Sequence, residues 1–335
     1  MPDFQTEKDL VRAYYEALSG ADAGSVADVL GRFTTPDWHW RGMHPFHEQT
    51  GAEAVAAAFW QPFLGAMTRV QRRPDIFLAG LNEMDGFTSV WVTSMGHLMA
   101  LFDAPWLGIR PTRRIVMLRY VEFNRVENGR IAETAFFCDI PHLMIQAGQN
   151  PFPPMTGAKL VQPGPMTHEG LMWGPQDPET GEATLAAINS MLNKMDSRRE
   201  GLTEGEVLAL NWHDDMIWWG PSGIGATYTI ERYLLQHCKP FDDALVDYRF
   251  NGHLCRLAEG NFGGFFGWAN LTLRNQGGYL GMTGGPGTAD MRVVDMYRAQ
   301  DGKLAENWIF IDILHYLNMQ GLDVLGRMEE VRPIV

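Results

Sequence analysis

The chain has 335 residues, 45% of them hydrophobic and 20% charged, with eleven tryptophans and a formal net charge of −13. That length accommodates two domains with a core each, the tryptophans argue against disorder, and the negative charge repels phosphate backbones, which sets aside a general nucleic-acid role. Cys138, Cys238 and Cys255 have neither an even count nor metal-ligand spacing, and neither a leader-like start nor a membrane-length apolar run is seen, so a reduced, cytoplasmic location with no membrane partner is expected.

Leu10, Val11, Tyr14, Tyr15 and Leu18 fall at helical spacing and predict an amphipathic helix over 7–18. A second helix over about 24–33 leads into DWHWRGMHPF, whose alternation and aromatics suggest a first strand running into a loop. Gly51 precedes EAVAAAFWQPF, an alanine-rich helix expected to stop near Pro62. Strands are expected near 75–80, 87–101, 114–126 and 130–139, the last two joined by the Asn-Gly turn in Glu127-Asn128-Gly129. A short helix follows Asp139 and closes at Gly148. The Pro- and Gly-rich stretch over 151–180 reads as a connector, packed on one domain through Phe152, Leu171 and Trp173. Beyond it come helices near 182–195 and 204–211, a strand at 215–219, a helix at 228–238, and strands from about 246 to 312 with a turn at Gln300-Asp301-Gly302.

That second list repeats the first. FFCDIPHLMIQAG and IFIDILHYLNMQG place Asp139 and Asp312, and His142 and His315, at a constant separation of 173 positions, as are Glu133 and Glu306, Arg119 and Arg292, and Glu122 and Asp295. Upstream, Pro62-Phe63 and Pro240-Phe241 are separated by 178. Units this long imply two similar domains rather than a repeat array. The expected division is residues 1–150, the connector, and 181–335. Helices followed by a curved antiparallel sheet make an α+β pattern in which the helices cover one face.

The Trp-rich first strand (WHWRG, MIWWG), the helix before Pro-Phe, the Arg strand with its Gly turn (LRYVEFNRVENGRIAE, MRVVDMYRAQDGKLAE) and the terminal strand, Asp and helix resemble the SnoaL-like polyketide cyclases of the nuclear-transport-factor-2-like (NTF2-like) superfamily. The resemblance implies two tandem NTF2-like cone domains packed as an internal pseudo-dimer, open to further association as a homo-oligomer. It also implies an Asp delivered by the last strand as general acid and base in an aldol ring closure, here Asp139 and Asp312. Where characterised cyclases place polar partners on a neighbouring strand, this hairpin offers Phe123 and Arg125, or Met296 and Arg298.

Two-residue alternation puts Glu133, Ala135, Phe137 and Asp139 on one face, and Glu306, Trp308, Phe310 and Asp312 on its counterpart. If that face is concave, the carboxylate ends an apolar wall, desolvation raises its pKa, and His142 or His315 reaches it from the first helical turn. An Asp before a helix is equally a good N-cap, and its two oxygens can serve both roles. Glu122 and Asp295 are mid-strand acids that either enter the pocket or pair on the sheet. His44 belongs to the loop after the first strand, where Pro45 and the lack of a third ligand argue against a metal. His97 and Asn270 occupy equivalent positions on an otherwise apolar strand. Trp40, Trp91, Trp218, Trp268, Trp308, Phe137 and Phe310 are core residues that a cone would also use as pocket walls. The expected function is cofactor-independent acid–base chemistry on a small apolar carbonyl or ring compound, by aldol cyclisation, isomerisation or lyase action. The alternatives are a non-catalytic small-molecule binder and a hydrolase that activates water through the pocket Asp.

Overall fold

In the computed structural model, which describes residues 3–159, 162–195 and 202–330, the first amphipathic pattern becomes the helix Gln5–Ser19, burying Lys8, Val11, Tyr14, Tyr15 and Leu18. Helix Val26–Phe33 follows, then β1 (Thr34–Gly42) and a short β2 (Glu48–Thr50) that the sequence reading did not separate. The alanine-rich helix does not stop at Pro62. It continues as Ala52–Val55, a π turn at Ala56–Trp60, and Gln61–Ala66. Proline lacks the amide for an ordinary helical bond and crowds the carbonyl four residues back; the wider turn before it accommodates both defects. The second unit uses the same arrangement around Pro240, with Thr229–Tyr233, a π turn at Leu234–Cys238, and Lys239–Ala244.

The first sheet adds β3 (Met67–Leu81), β4 (Val90–Phe102), β5 (Ile115–Glu127) and β6 (Arg130–Cys138), in the order β2-β1-β6-β5-β4-β3. Only β1 and β6 run parallel. Asn128 and Gly129 both have positive φ, 50° and 72°, as the tight hairpin between β5 and β6 requires. Helix Ile140–Gln146 closes the unit.

After helices Pro178–Met195 and Glu204–Ala209, the second unit has β7 (Trp212–Trp219), β8 (Ala226–Tyr228), β9 (Leu245–Phe250), β10 (Cys255–Glu259), β11 (Phe262–Phe266), β12 (Leu271–Asn275), β13 (Thr288–Met291), β14 (Val293–Gln300) and β15 (Lys303–Ile311), then helices Ile313–Met319 and Val324–Glu330. Its main sheet, β8-β7-β15-β14-β11-β10, matches the first strand for strand, so the tandem α+β expectation holds. One difference is large. β9, β12 and β13 form a separate three-stranded sheet, whereas β3 and β4 pass the corresponding region with register shifts only.

Strand alternation gives each sheet two distinct faces. Phe136 turns to its own helices, stacking on Trp40 at 6.0 Å and meeting Phe59 at 4.9 Å. Its neighbours turn to the other unit: Phe123 meets Phe266 at 5.1 Å, Phe137 meets Trp268 at 5.5 Å, and Arg119 Nη1 donates to the Ile309 carbonyl at 3.0 Å. The concave faces hold the helices and the convex faces meet at a seam. The connector is tied to both units rather than one. The Phe77 amide donates to the Gly170 carbonyl at 2.8 Å, the Ala158 amide donates to the Ala226 carbonyl at 2.7 Å, and Trp308 Nε1 donates to the Pro163 carbonyl at 2.9 Å. Lys8 on the first helix makes a buried ion pair with Glu259 of the second unit. No described helix is long and apolar enough to cross a membrane.

Candidate functional site

Both Asp-x-x-His sequences begin a helix, and both aspartates reach across the seam. Asp139 Oδ1 accepts the His142 amide at 2.9 Å, while Oδ2 accepts the Ser222 amide of the second unit at 3.0 Å. Reciprocally, Asp312 Oδ1 accepts the His315 amide at 3.2 Å, and Oδ2 accepts the His44 amide of the first unit at 2.9 Å, with Arg292 Nη1 at 3.4 Å. The expectation that this strand face is concave gives way here. Because the opposite unit covers the convex side, both faces of the last strand are apolar, and alternation could not tell them apart.

Backbone amides of His142 and His315, rather than their rings, hold the carboxylates. The His142 ring instead meets the Gln146 amide at 3.3 Å. Burial pushes Asp312 up to about 6, against the opposing pull of the His44 amide and Arg292. Burial lowers His142 and takes His315 down to about 4, so these imidazoles are neutral near pH 7.

Most of the other expected residues also lie at the seam. Trp91 packs on Phe266 at 5.6 Å, and His97 Nδ1 lies 3.2 Å from Asp75. Trp268 donates to Glu48 at 2.9 Å under the Arg292 guanidinium, and Phe310 lies beneath Arg119 at 3.9 Å. Trp308 holds the connector, and Asn270 Oδ1 accepts the Val293 amide at 2.8 Å, a structural lock between strands.

The concave faces carry Trp40 and Trp218 together with the equivalent acids Glu122 and Asp295. In the first unit Glu122 is 3.0 Å from Arg72, which lies over the rings of Tyr15 at 3.9 Å and Tyr120 at 4.5 Å. Asn124 donates to the Tyr15 hydroxyl at 3.1 Å and to Glu122 at 3.3 Å, and Thr134 donates to Asn124 at 2.7 Å. The acid is paired with a cation inside a buried polar network. In the second unit the position matching Arg72 is Phe250, and among the described residues Asp295 has no ion pair. Its Oδ1 accepts from Asn307 at 3.0 Å, and the Tyr297 hydroxyl also bonds to it. Burial raises its pKa to about 7 despite these two donors. Tyr297 packs on Trp212 at 5.9 Å and on Phe265 at 5.8 Å; Tyr233 packs on Trp218 at 5.7 Å.

Sequence reading missed Arg72, Tyr297, Asn307 and Tyr233. Tyr297 and Asn307 carried a usable signal, since they are cross-strand partners one alternation step from Asp295. Arg72, fifty positions before its partner, carried none. Among the described residues no group of three His, Cys, Asp or Glu side chains is arranged to hold a metal ion.

Residues 11–134 match the model of the SnoaL-like domain. Similar solved structures include a candidate SnoaL-like polyketide cyclase from Jannaschia sp. CCS1, 21% identical over 45% of this chain and 95% of that one, with a TM-score of 0.35. A candidate polyketide cyclase from Xanthomonas campestris pv. campestris is 20% identical over 44% of this chain and 99% of its own, at a TM-score of 0.35. An NTF2-like protein from Burkholderia xenovorans LB400 is 14% identical over 42% and 96%, at 0.32. No curated protein matches the chain. Glu122 and its network fall inside the matched span of the SnoaL-like domain; Asp139 and His142 lie just past its end.

Proposed function

We propose that the chain is a cofactor-independent acid–base enzyme acting on a small, largely apolar carbonyl or ring compound, in a cyclase, isomerase or lyase reaction, and that Asp295 carries the proton. What supports this reading is a carboxyl buried on the concave face with no ion pair among the described residues, whose pKa burial raises to about 7. A base with that pKa is divided between its two forms at neutral pH, so it can both take a proton from carbon and return one. Asp295 retains 8% accessibility, while Tyr297, Phe265 and Trp212 surround it with aromatic surface that excludes water. Asn307 and Tyr297 fix the carboxyl orientation, the geometry that proton abstraction beside a carbonyl demands. In this reading Asp139 and Asp312 hold the two units together and do no chemistry.

The test is exchange of the α-protons of 2-tetralone in D2O, followed by proton NMR. Wild type should accelerate exchange over buffer, Asp295→Asn should not, and Glu122→Gln should remain active. Undiminished exchange with Asp295→Asn overturns the assignment, and ketone binding with no exchange would favour ligand storage over turnover.

A further inference from the structure

The separation of β9, β12 and β13 from the main sheet opens a hollow of about 300 Å³ in the second unit, lined in part by Arg249, Asn251, His253, Trp268, Thr272 and Asp290. Two opposite charges sit on its wall without joining. Arg249 Nη2 donates to the Thr272 hydroxyl at 3.3 Å, and that hydroxyl donates to Asp290 Oδ1 at 2.7 Å. Neither residue makes an ion pair among the described residues, although the other arginines of this sheet and its neighbours, Arg274, Arg256 and Arg298, are each paired with an acid.

One hydroxyl therefore holds a cation and an anion at a fixed spacing, with the rest of each charged group left for something else. Asn251 also donates to Thr272, at 2.9 Å, which pins the hydroxyl from a third side. Trp268 lines the hollow, and its ring is fixed by its bond to Glu48, by Arg292 across it at 4.0 Å and by Phe137 at 5.5 Å. His253 stacks on Phe265 at 3.8 Å and is bound to Arg256 at 2.9 Å, and its lowered pKa keeps it from adding a charge.

We infer that this hollow binds a small zwitterion of the α-amino-acid class, its carboxylate on Arg249, its ammonium on Asp290 and its side chain against Trp268. The charges of such a molecule stand a few ångströms apart, matching a cation and an anion separated by a single bridging hydroxyl, and charge-assisted bonds of this kind are stronger than neutral ones. A neutral sugar would leave both protein charges unused. A simple carboxylate would satisfy Arg249 but face Asp290.

The hollow is joined to the surroundings of Asp295 through Phe265, which stacks on His253 and pairs across strands with Asp295, but the binding proposed here does not depend on the proposed reaction. It is tested by titrating the whole chain with L-phenylalanine, N-acetyl-L-phenylalanine and L-phenylalanine amide by calorimetry, with the Trp268 indole NH followed by NMR. L-Phenylalanine should bind, and each blocked analogue should bind at least tenfold more weakly. Arg249→Gln and Asp290→Asn should each weaken binding at least tenfold while leaving thermal unfolding nearly unchanged, since both stand at partly exposed positions. Equal binding of the N-acetylated compound, retention of affinity in Asp290→Asn, or no binding of L-phenylalanine up to millimolar concentration overturns the proposal. Thr272→Val provides a second variant, removing the bridging hydroxyl while leaving both charges in place; it too should lose affinity.

Discussion

The concave faces of the two units hold an acid at the same place and treat it in opposite ways. Glu122 has Arg72 against it and Asn124 beside it; Asp295 has two neutral donors and, among the described residues, no ion pair. Arg72 stands on β3, two strands from Glu122 in the same sheet, whereas the matching Phe250 stands on β9, which belongs to the separate three-stranded sheet. Glu122 makes a buried ion pair with Arg72, whereas burial raises the pKa of Asp295, held by neutral donors, to about 7. The same fold thus holds a buried ion pair in one half and, in the function proposed above, the proton carrier in the other.

This contrast can be broken most sharply at Asp295. Asp295→Asn should lower α-proton exchange by on the order of 10²-fold or more, the contribution of a positioned acid–base group. Next, Glu122→Gln should leave exchange intact but cost about 3–5 kcal/mol of stability, because it strands Arg72 as an unpaired buried charge; chemical denaturation measures it. Asp295 should also mark the pH dependence of stability. A carboxyl raised in the folded state favours folding below its unfolded pKa and loses that contribution as pH rises through about 7, a term of up to about 4 kcal/mol. Melting temperatures from pH 4 to 8 should therefore fall less steeply for Asp295→Asn than for wild type, and the variant should be the more stable protein at pH 8.

The seam offers a smaller effect. Asp139→Ala removes a helix cap and leaves the Ser222 amide without its partner, for about 2–3 kcal/mol. Combined with Asp312→Ala, the loss should depart from the sum of the singles, because both carboxylates hold the same interface. Additive losses would mean that the two crossings act independently.

Much of this was legible in the residues. The duplication, the Asn128-Gly129 hairpin and the helix starts at Asp139 and Asp312 follow from spacing and turn chemistry. Three features were not. Pro62 signals a helix end unless a π turn precedes it, and no local pattern announces that turn. The last strand is apolar on both sides, so Asp139 could not be assigned to a face before its partner unit was in place. Whether Glu122 or Asp295 is neutralised depends on a residue from a distant strand. Side-chain identity was visible, but the surroundings that set its chemistry were not.

The connector that lashes the halves together has an evolutionary consequence. A homodimer must write every substitution twice, once in each copy, so a change that equips one pocket alters its twin as well. Joining two units in one polypeptide lifts that symmetry, so matching positions such as Arg72 and Phe250 are free to differ. The partner also cannot diffuse away, so a half free to specialise is never without the surface that completes it.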